Sequence, residues 1–138
     1  MTDSTRKTLA DVGLLFLRLS VGATMLLSHG LPKLQKWDQL SSTFADPIGV
    51  GPTVSLALAI GAEVGASIFI MLGLATRLAA IPLAFTMLVA MLVVHADDPW
   101  SKKEFAFMYL IPCVTLMLTG GGRFAVDTKL KGKLGALR

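Results

Sequence analysis

The sequence is poor in two kinds of residue on which many soluble proteins depend. It has one cysteine, Cys113, and only 16% of its 138 residues are charged, whereas charged residues make up about 25% of a typical soluble domain. A single cysteine excludes an intrachain disulfide, a CxxC redox motif and a metal site built on paired cysteines. Cys113 lies in an apolar stretch, where a small packing residue is the expected role.

The few charges are unevenly placed, and long stretches have none. No Asp, Glu, Lys or Arg occurs in residues 78–96 or in residues 105–122. A bilayer core of about 30 Å is crossed by about 20 apolar helical residues, so each stretch is long enough for a transmembrane helix. Together with a hydrophobic content of 54%, these stretches predict an integral membrane protein with a single domain, residues 1–138.

The net charge of +4 does not indicate a nucleic-acid partner. Five of the thirteen basic residues lie in the segment 123–138. Basic segments beside apolar spans are typical cytoplasmic anchors of membrane proteins, whereas nucleic-acid binding needs an exposed basic face. We therefore expect residues 123–138 to form a basic cytoplasmic tail.

Four apolar segments predict an all-α membrane protein, an antiparallel bundle of four transmembrane helices. The connection between the first two helices is the longest, and an amphipathic part of it, around residues 34–44, is expected to lie on the membrane surface with Trp37 at headgroup level. An irregular loop is the alternative for that part. The predicted spans are about 9–29, 52–74, 77–95 and 104–119.

Lysine and arginine are unequally distributed between the two sides of such a bundle. The side that holds both termini carries eight of them, and the opposite side carries four, namely Lys33, Lys36, Lys102 and Lys103. Because loops rich in basic residues stay on the inner side of the membrane, we expect both termini in the cytoplasm. The predicted location is the plasma or inner membrane.

Two charged residues, Arg18 and Glu63, lie deep inside predicted spans. Arg18 interrupts the first apolar run, which favours a retained helix over a cleaved signal peptide. Arg18 shares one helical stripe with Asp11, Gly22 and His29, so this stripe is expected to face the bundle interior. At 1.5 Å per residue, Arg18 and Glu63 lie about 14 Å and about 16 Å from the same side of the bundle. An unpaired charge at that depth is costly, so we predict a buried Arg18–Glu63 ion pair that either only holds the bundle together or also serves a ligand or proton transfer.

Four polar residues on the outer side are candidates for ligand binding: His29, Lys33, His95 and Glu104. His29 and Lys33 lie at the end of the first span, His95 ends the third span, and Glu104 begins the fourth. The topology therefore brings the four residues near each other. Two imidazoles and a carboxylate are possible metal ligands, yet their spacing matches no contiguous metal motif, and we predict no metal site. Hydrogen bonding to a quinone-like headgroup and simple capping of helix ends are the other interpretations.

Small residues mark a possible contact surface on the second span. Gly61 and Gly65 form a GxxxG motif, which lets two membrane helices approach closely. The motif points away from Glu63 on a helix, so it favours either a contact with a second helix of the bundle or a homo-oligomer.

Taken in order, these motifs resemble those of the DoxX family of small four-helix membrane proteins. The resemblance covers residues 14–127. It depends on Arg18 with Gly22, on HGLPK at 29–33, on Glu63 with Gly65, on GLATRLAA at 73–80, and on His95, Glu104 and the terminal segment 120–127.

The resemblance implies a redox context. Members of the family include a subunit type of thiosulfate:quinone oxidoreductase, and others are associated with redox or thiol-stress partners. We therefore expect a quinone- or redox-associated membrane subunit, with quinone as the possible cofactor and an oxidoreductase as the possible partner. The alternatives are a non-catalytic scaffold that recruits a soluble partner through the tail, and a small transporter, although no inverted repeat supports transport.

Overall fold

The computed structural model describes residues 2–130, and this part of the chain is entirely helical, without strands. The prediction of an all-α protein is confirmed. A short 3-10 turn, Val126–Thr128, follows the last helix. The helices are α1 (Asp3–Gln35), α2 (Trp37–Leu40), α3 (Pro52–Leu72), α4 (Thr76–Val94) and α5 (Trp100–Thr119).

Three of these helices, α1, α3 and α4, are long and apolar enough to cross a membrane. The prediction of a multi-pass membrane protein is confirmed to that extent. Helix α5 falls short because Lys102, Lys103 and Glu104 lie within its first turns. Its uncharged part, residues 105–119, is about 22 Å long at 1.5 Å per residue, less than the hydrocarbon thickness of about 30 Å.

Helix α1 is longer than the sequence indicated. Its first turn is capped by Thr2, whose hydroxyl accepts a hydrogen bond from the Thr5 N–H at 3.3 Å. The predicted first span ends near residue 29, but the helix continues through Gly30 and Pro32 to Gln35. A π-helical segment, Leu26–Gly30, lies directly before Pro32, which stands in the first turn of the α-helical part that follows. The wider turn of the π segment accommodates the missing proline N–H, so the chain stays helical.

Each of the three long helices contains such a π-helical segment. In α3 it is Gly61–Ala66, and in α4 it is Ala90–Val94. Segments of this kind are rare in proteins overall, and those that occur are often found at functional sites. They turn side chains away from the regular α-helical positions. The segments of α1 and α3 meet where Gly30 packs against Glu63 and Val64, and the segment of α4 lies at the end of that helix.

Helices α1 and α3 pack closely through two glycines of α1. A Cβ atom on Gly22 would lie 2.9 Å from the Ser67 carbonyl oxygen, and one on Gly30 would lie 2.7 Å from Val64 Cγ2. Residues further along α1 therefore contact residues earlier in α3. The core beside this contact is formed by buried apolar residues of α1, α3, α4 and α5, among them Met25, Ile70, Leu83, Cys113 and Leu116.

A tight turn joins α3 to α4 and is held by the end of the described chain. Gly73 and Ala75 have left-handed φ values of 71° and 46°. The buried Asp127 carboxylate accepts hydrogen bonds from the Ala75 N–H at 2.7 Å and the Thr76 N–H at 3.2 Å. Asp127 thereby caps the first turn of α4, where the helix dipole also favours an anion.

The first part of the expected tail thus packs against the bundle. Ala125 and Asp127 are fully buried, and the Arg123 N–H donates to the Asp11 carboxylate of α1 at 2.9 Å. Residues 123–130 are therefore part of the fold. The remainder of the predicted basic tail, 131–138, lies outside the described residues.

Candidate functional site

A cavity of about 450 Å³ lies among α1, α3, α4 and α5, on the side of the bundle that carries the π-helical segments. The connection between α2 and α3 covers one end of it, through Phe44 and Ile48. The walls are mostly apolar, and only a few polar side chains reach the interior. Those polar side chains are His29, Lys33, Ser55, Glu63, Thr86, His95, Lys102 and Tyr109.

Lys33 and Glu63 form an ion pair in the wall of this mostly apolar cavity. The Lys33 ammonium donates to both Glu63 carboxylate oxygens, at 2.8 and 2.6 Å. The Glu63 side chain is 5% exposed and the Lys33 side chain is 24% exposed. Glu63 lies in the π-helical segment of α3, and Gly30 makes room for that segment against α1. The pair thus lies beside the close contact between α1 and α3 at Gly30.

The predicted Arg18–Glu63 ion pair is wrong, because Glu63 binds Lys33. The depth estimate placed the beginning of the first span at residue 9 and its end near residue 29. Helix α1 runs from Asp3 to Gln35 instead, so the residue beside Glu63 is Gly30, about 18 Å along the helix from Arg18. Lys33 reaches Glu63 one turn further on.

Arg18 lies instead beside the turn between α3 and α4. It is fully buried, and its guanidinium group lies so close to Gly73 that a Cβ atom there would overlap with it. Within residues 2–130 no hydrogen-bond partner reaches its nitrogens, and Asp127 is the carboxylate whose charge acts on it. Arg18 is therefore part of the interior that locks the turn, at the opposite end of the bundle from the cavity.

His29 lines the cavity and has one polar atom without a hydrogen-bond partner. Its Nε2 atom is buried and has no hydrogen-bond partner among the described residues. The imidazole ring is held by two aromatic rings of α5, Phe105 with a centroid distance of 5.2 Å and Tyr109 at 5.5 Å. A buried polar atom without a partner is costly, so a ligand or water that supplies one is favoured here.

His95 lines the same cavity and belongs to a small network of charged groups in the connection before α5. Its Nδ1 atom lies 2.7 Å from Asp98 Oδ2, and the Lys102 ammonium lies 3.2 Å from Asp98 Oδ1. The hydrogen bond with His95, and then that with Lys102, lowers the pKa of Asp98 below its ordinary value of 3.8. Asp98 thus stays ionised and orients both basic side chains.

The cavity brings together three of the four predicted ligand-binding residues, His29, Lys33 and His95. Glu104 is exposed and is absent from the cavity walls, because it lies on the outer face of the first turn of α5. In the described part of the chain, no three His, Cys, Asp or Glu side chains are grouped closely enough to hold a metal ion.

Sequence reasoning missed two features of the site. Phe105 and Tyr109 were not singled out, although their spacing of four residues places both on one face of a helix. Glu63 was assigned to Arg18, since the extension of α1 past Pro32 that brings Lys33 to it depends on the π-helical segment.

The GxxxG motif of α3 faces outward. A Cβ atom at Gly61 or Gly65 would meet nothing within 4 Å among the described residues. The close approach between helices is made through Gly22 and Gly30 of α1 instead. A homo-oligomer through Gly61 and Gly65 stays a prediction.

Comparisons with known proteins identify the family of this chain. The DoxX family model matches residues 13–96. This range contains most of α1, all of α3 and α4, and the residues His29, Lys33, Glu63 and His95. A Bacillus subtilis (strain 168) protein named "Putative oxidoreductase CatD" is 30% identical over 125 residues, covering 89% of this chain and 91% of that protein. No solved structure matches. The chain belongs to the DoxX family of membrane proteins.

Proposed function

We propose that the cavity binds the headgroup of a quinone, and that the protein is a quinone-associated membrane subunit of an oxidoreductase system. The observation that carries the proposal is the buried, unpartnered Nε2 atom of His29, a residue that lines a mostly apolar cavity. Binding sites for small molecules have this composition, with mostly apolar walls and a few polar groups that fix the orientation of the ligand.

The polar groups suit a quinone in either oxidation state. With its hydrogen on Nε2, His29 donates to a quinone carbonyl, and with the hydrogen on Nδ1 the free Nε2 accepts from a hydroquinone hydroxyl. The Lys33 ammonium has three donors, of which Glu63 accepts two. A second carbonyl can take the third.

The aromatic side chains and the volume suit a flat ring. Phe105 and Tyr109 pack against His29 and against each other, with a centroid distance of 5.2 Å between their rings. Aromatic walls attract flat π systems through offset stacking and edge contacts. The cavity volume of about 450 Å³ lies in the range of roughly 300–1,000 Å³ found for small-molecule sites.

A fourth membrane span and an antiparallel bundle are part of the proposal. If only α1, α3 and α4 crossed the membrane, the chain from His95 onward would lie on the side opposite the start of α1. However, Arg123, which follows α5, hydrogen-bonds Asp11 near the start of α1. This contact supports a return of the chain across the membrane through α5, so that both ends of the described chain share the cytoplasmic side.

The name of the Bacillus subtilis relative supports a redox role, since that protein is called an oxidoreductase. The electrons for a bound quinone would come from an oxidoreductase partner. The packing of residues 123–130 against the bundle makes this part of the tail less suited to a free docking arm for such a partner.

The experiment is quinone retention during purification. The wild-type protein is extracted from membranes in mild detergent, and the quinone that copurifies is quantified by chromatography. We expect His29→Ala to weaken quinone binding about tenfold, and so to lower the amount that copurifies, because the loss of one buried hydrogen bond, about 1.4 kcal/mol, corresponds to that factor in affinity.

Glu104→Ala is the matched control, since Glu104 is exposed and does not line the cavity. It should retain quinone at the wild-type level. Equal retention in His29→Ala and wild type, or a wild-type protein that carries no quinone and binds none when it is added, would contradict the proposal.

A further inference from the structure

The two helices α3 and α4 diverge from the turn that joins them. Near the turn they pack together, with the segments Gly61–Ala66 and Ser67–Leu72 of α3 against Thr76–Val89 of α4. The remaining part of α3, Pro52–Ile60, has no comparable packing against α4 and lies against the end of α1, residues 31–35. The space between α3 and α4 therefore widens toward the side of His29 and Lys33.

The cavity occupies this widening gap. Its walls include Leu58 and Ala59 on one side and Phe85 and Ala90 on the other. The small side chains Ala59 and Ala90 are only partly covered and leave room between the helices. The polar groups around His29 and the Lys33–Glu63 pair lie at the inner side of the cavity, beneath the gap.

The rim of the gap is apolar and exposed. Leu58 and Phe85 are 56% and 54% exposed although both line the cavity. Leu58 lies about 9 Å from the start of α3, and Phe85 lies about 14 Å from the end of α4, at 1.5 Å per residue. These depths fall within a hydrocarbon layer of about 30 Å. The side chains that flank the opening are therefore surrounded by acyl chains.

We infer that the cavity opens sideways into the bilayer between α3 and α4, and that it takes an amphiphile with a flat polar head and a long apolar tail. The headgroup lies at His29 and the Lys33–Glu63 pair. The tail leaves between Leu58 and Phe85 and stays in the hydrocarbon. This inference depends on the proposed function and adds that the ligand is a long-chain quinone that reaches the site from the membrane.

The test narrows the gap and asks how this changes the binding of a quinone with a long tail and of a quinone without one. Ala59→Phe places a ring in the gap, and Ala57→Phe is the matched control, because Ala57 is exposed on the same helix and does not line the cavity. Equilibrium binding of decylubiquinone and of the tail-less duroquinone is measured with each full-length protein in lipid nanodiscs.

We expect Ala59→Phe to weaken binding of decylubiquinone at least about tenfold, since the tail loses its path, which corresponds to about 1.4 kcal/mol or more. Binding of duroquinone should change less than about twofold. Ala57→Phe should leave both affinities at the wild-type value. Ala90→Phe, on the α4 side of the gap, should repeat the pattern and serves if the first variant does not fold.

Three results would overturn the inference. Equal weakening of both quinones would mean that the gap holds the headgroup, and unchanged binding of decylubiquinone in a folded variant would mean that the tail leaves elsewhere. The third result is a phospholipid that occupies the gap and is not displaced by decylubiquinone, while the wild-type protein still binds duroquinone. This result would assign the gap to membrane lipid. Failure of the proposed function is distinct, because the wild-type protein then binds neither quinone.

Discussion

At the scale of single residues, each of the two buried carboxylates among the described residues has a partner. The deep carboxylate Glu63 is matched by Lys33 with two short hydrogen bonds. Asp127 is buried and is matched by two backbone N–H groups at the start of α4. Carboxylates removed from water need such partners, because a buried anion without hydrogen bonds is strongly disfavoured.

The Lys33–Glu63 pair predicts coupling between the two positions. Glu63→Gln leaves the Lys33 ammonium without its counter-ion and should destabilise the fold by about 3 kcal/mol, and Lys33→Met should act similarly. The double variant should recover much of this loss. Unfolding in detergent, followed by circular dichroism, gives the four free energies of the double-mutant cycle.

Arg18 supplies the control for that cycle. The sequence suggested an Arg18–Glu63 pair, whereas the structure separates the two residues. The effects of Arg18→Met and Glu63→Gln should therefore add, with no recovery in the double variant. Strong coupling between Arg18 and Glu63, or additive effects of Lys33→Met and Glu63→Gln, would contradict the observed pairing.

A pH titration tests the network at Asp98. Its carboxyl group should titrate below 3.8, because the hydrogen bonds with His95 and Lys102 favour the ionised form. Since the pKa in the folded state is lowered, the contribution of Asp98 to stability is present above pH 3.8 and is lost as the pH falls through the folded-state pKa. Carbon NMR of the side-chain carboxyl measures this pKa, and His95→Ala should move it back toward 3.8. A value unchanged by His95→Ala would exclude His95 as the main cause.

At the scale of helices, close packing and local irregularity together build the site. The glycines of α1 bring α3 near enough for Lys33 to reach Glu63. The π-helical segments of α1 and α3 carry His29 and Glu63, and that of α4 lines the cavity through Ala90 and Val94. A regular α-helix would turn these side chains by a different angle, so the site depends on the irregular segments.

Two glycines of the same helix should respond oppositely to alanine. Gly30→Ala places a methyl group 2.7 Å from Val64 Cγ2 and 3.0 Å from the Glu63 backbone, and it should cost about 1–3 kcal/mol through overpacking. Gly13→Ala meets nothing within 4 Å and should stabilise α1 by about 0.5–1 kcal/mol through helix propensity. Thermal unfolding in one detergent measures both, and a destabilised Gly13→Ala or an unaffected Gly30→Ala would refute this packing.

At the scale of the whole molecule, the end of the described chain closes the bundle. Residues 123–130 connect α1 through Asp11, the turn at Gly73 through the Asp127 N–H, and the first turn of α4 through the Asp127 carboxylate. These contacts gather the ends of several helices at one side. The cavity lies at the other side, so the two ends of the bundle have separate roles.

The proposed membrane topology can be measured. Cysteines are introduced singly as Ser4→Cys and Asp97→Cys, both at exposed positions, while the buried Cys113 stays in place. A membrane-impermeant maleimide should label Asp97→Cys in intact cells and Ser4→Cys only after permeabilisation, because both ends of the bundle chain are proposed to be cytoplasmic. Labelling of Ser4→Cys in intact cells would reverse the proposed orientation.

The sequence by itself determined the helical membrane class, the long apolar helices and the family, because hydrophobicity over about 20 residues is a local property. It also named His29, Lys33 and His95, since polar residues at the ends of apolar spans are conspicuous. The partner of Glu63 was decided only by tertiary structure. A π-helical segment lets α1 continue past Pro32, and glycine contacts fix the height of α1 against α3. Together they place Lys33 beside Glu63 and Arg18 beside Gly73. Helix periodicity gives the face on which a side chain lies, whereas its height against a neighbouring helix depends on packing between residues far apart in the chain.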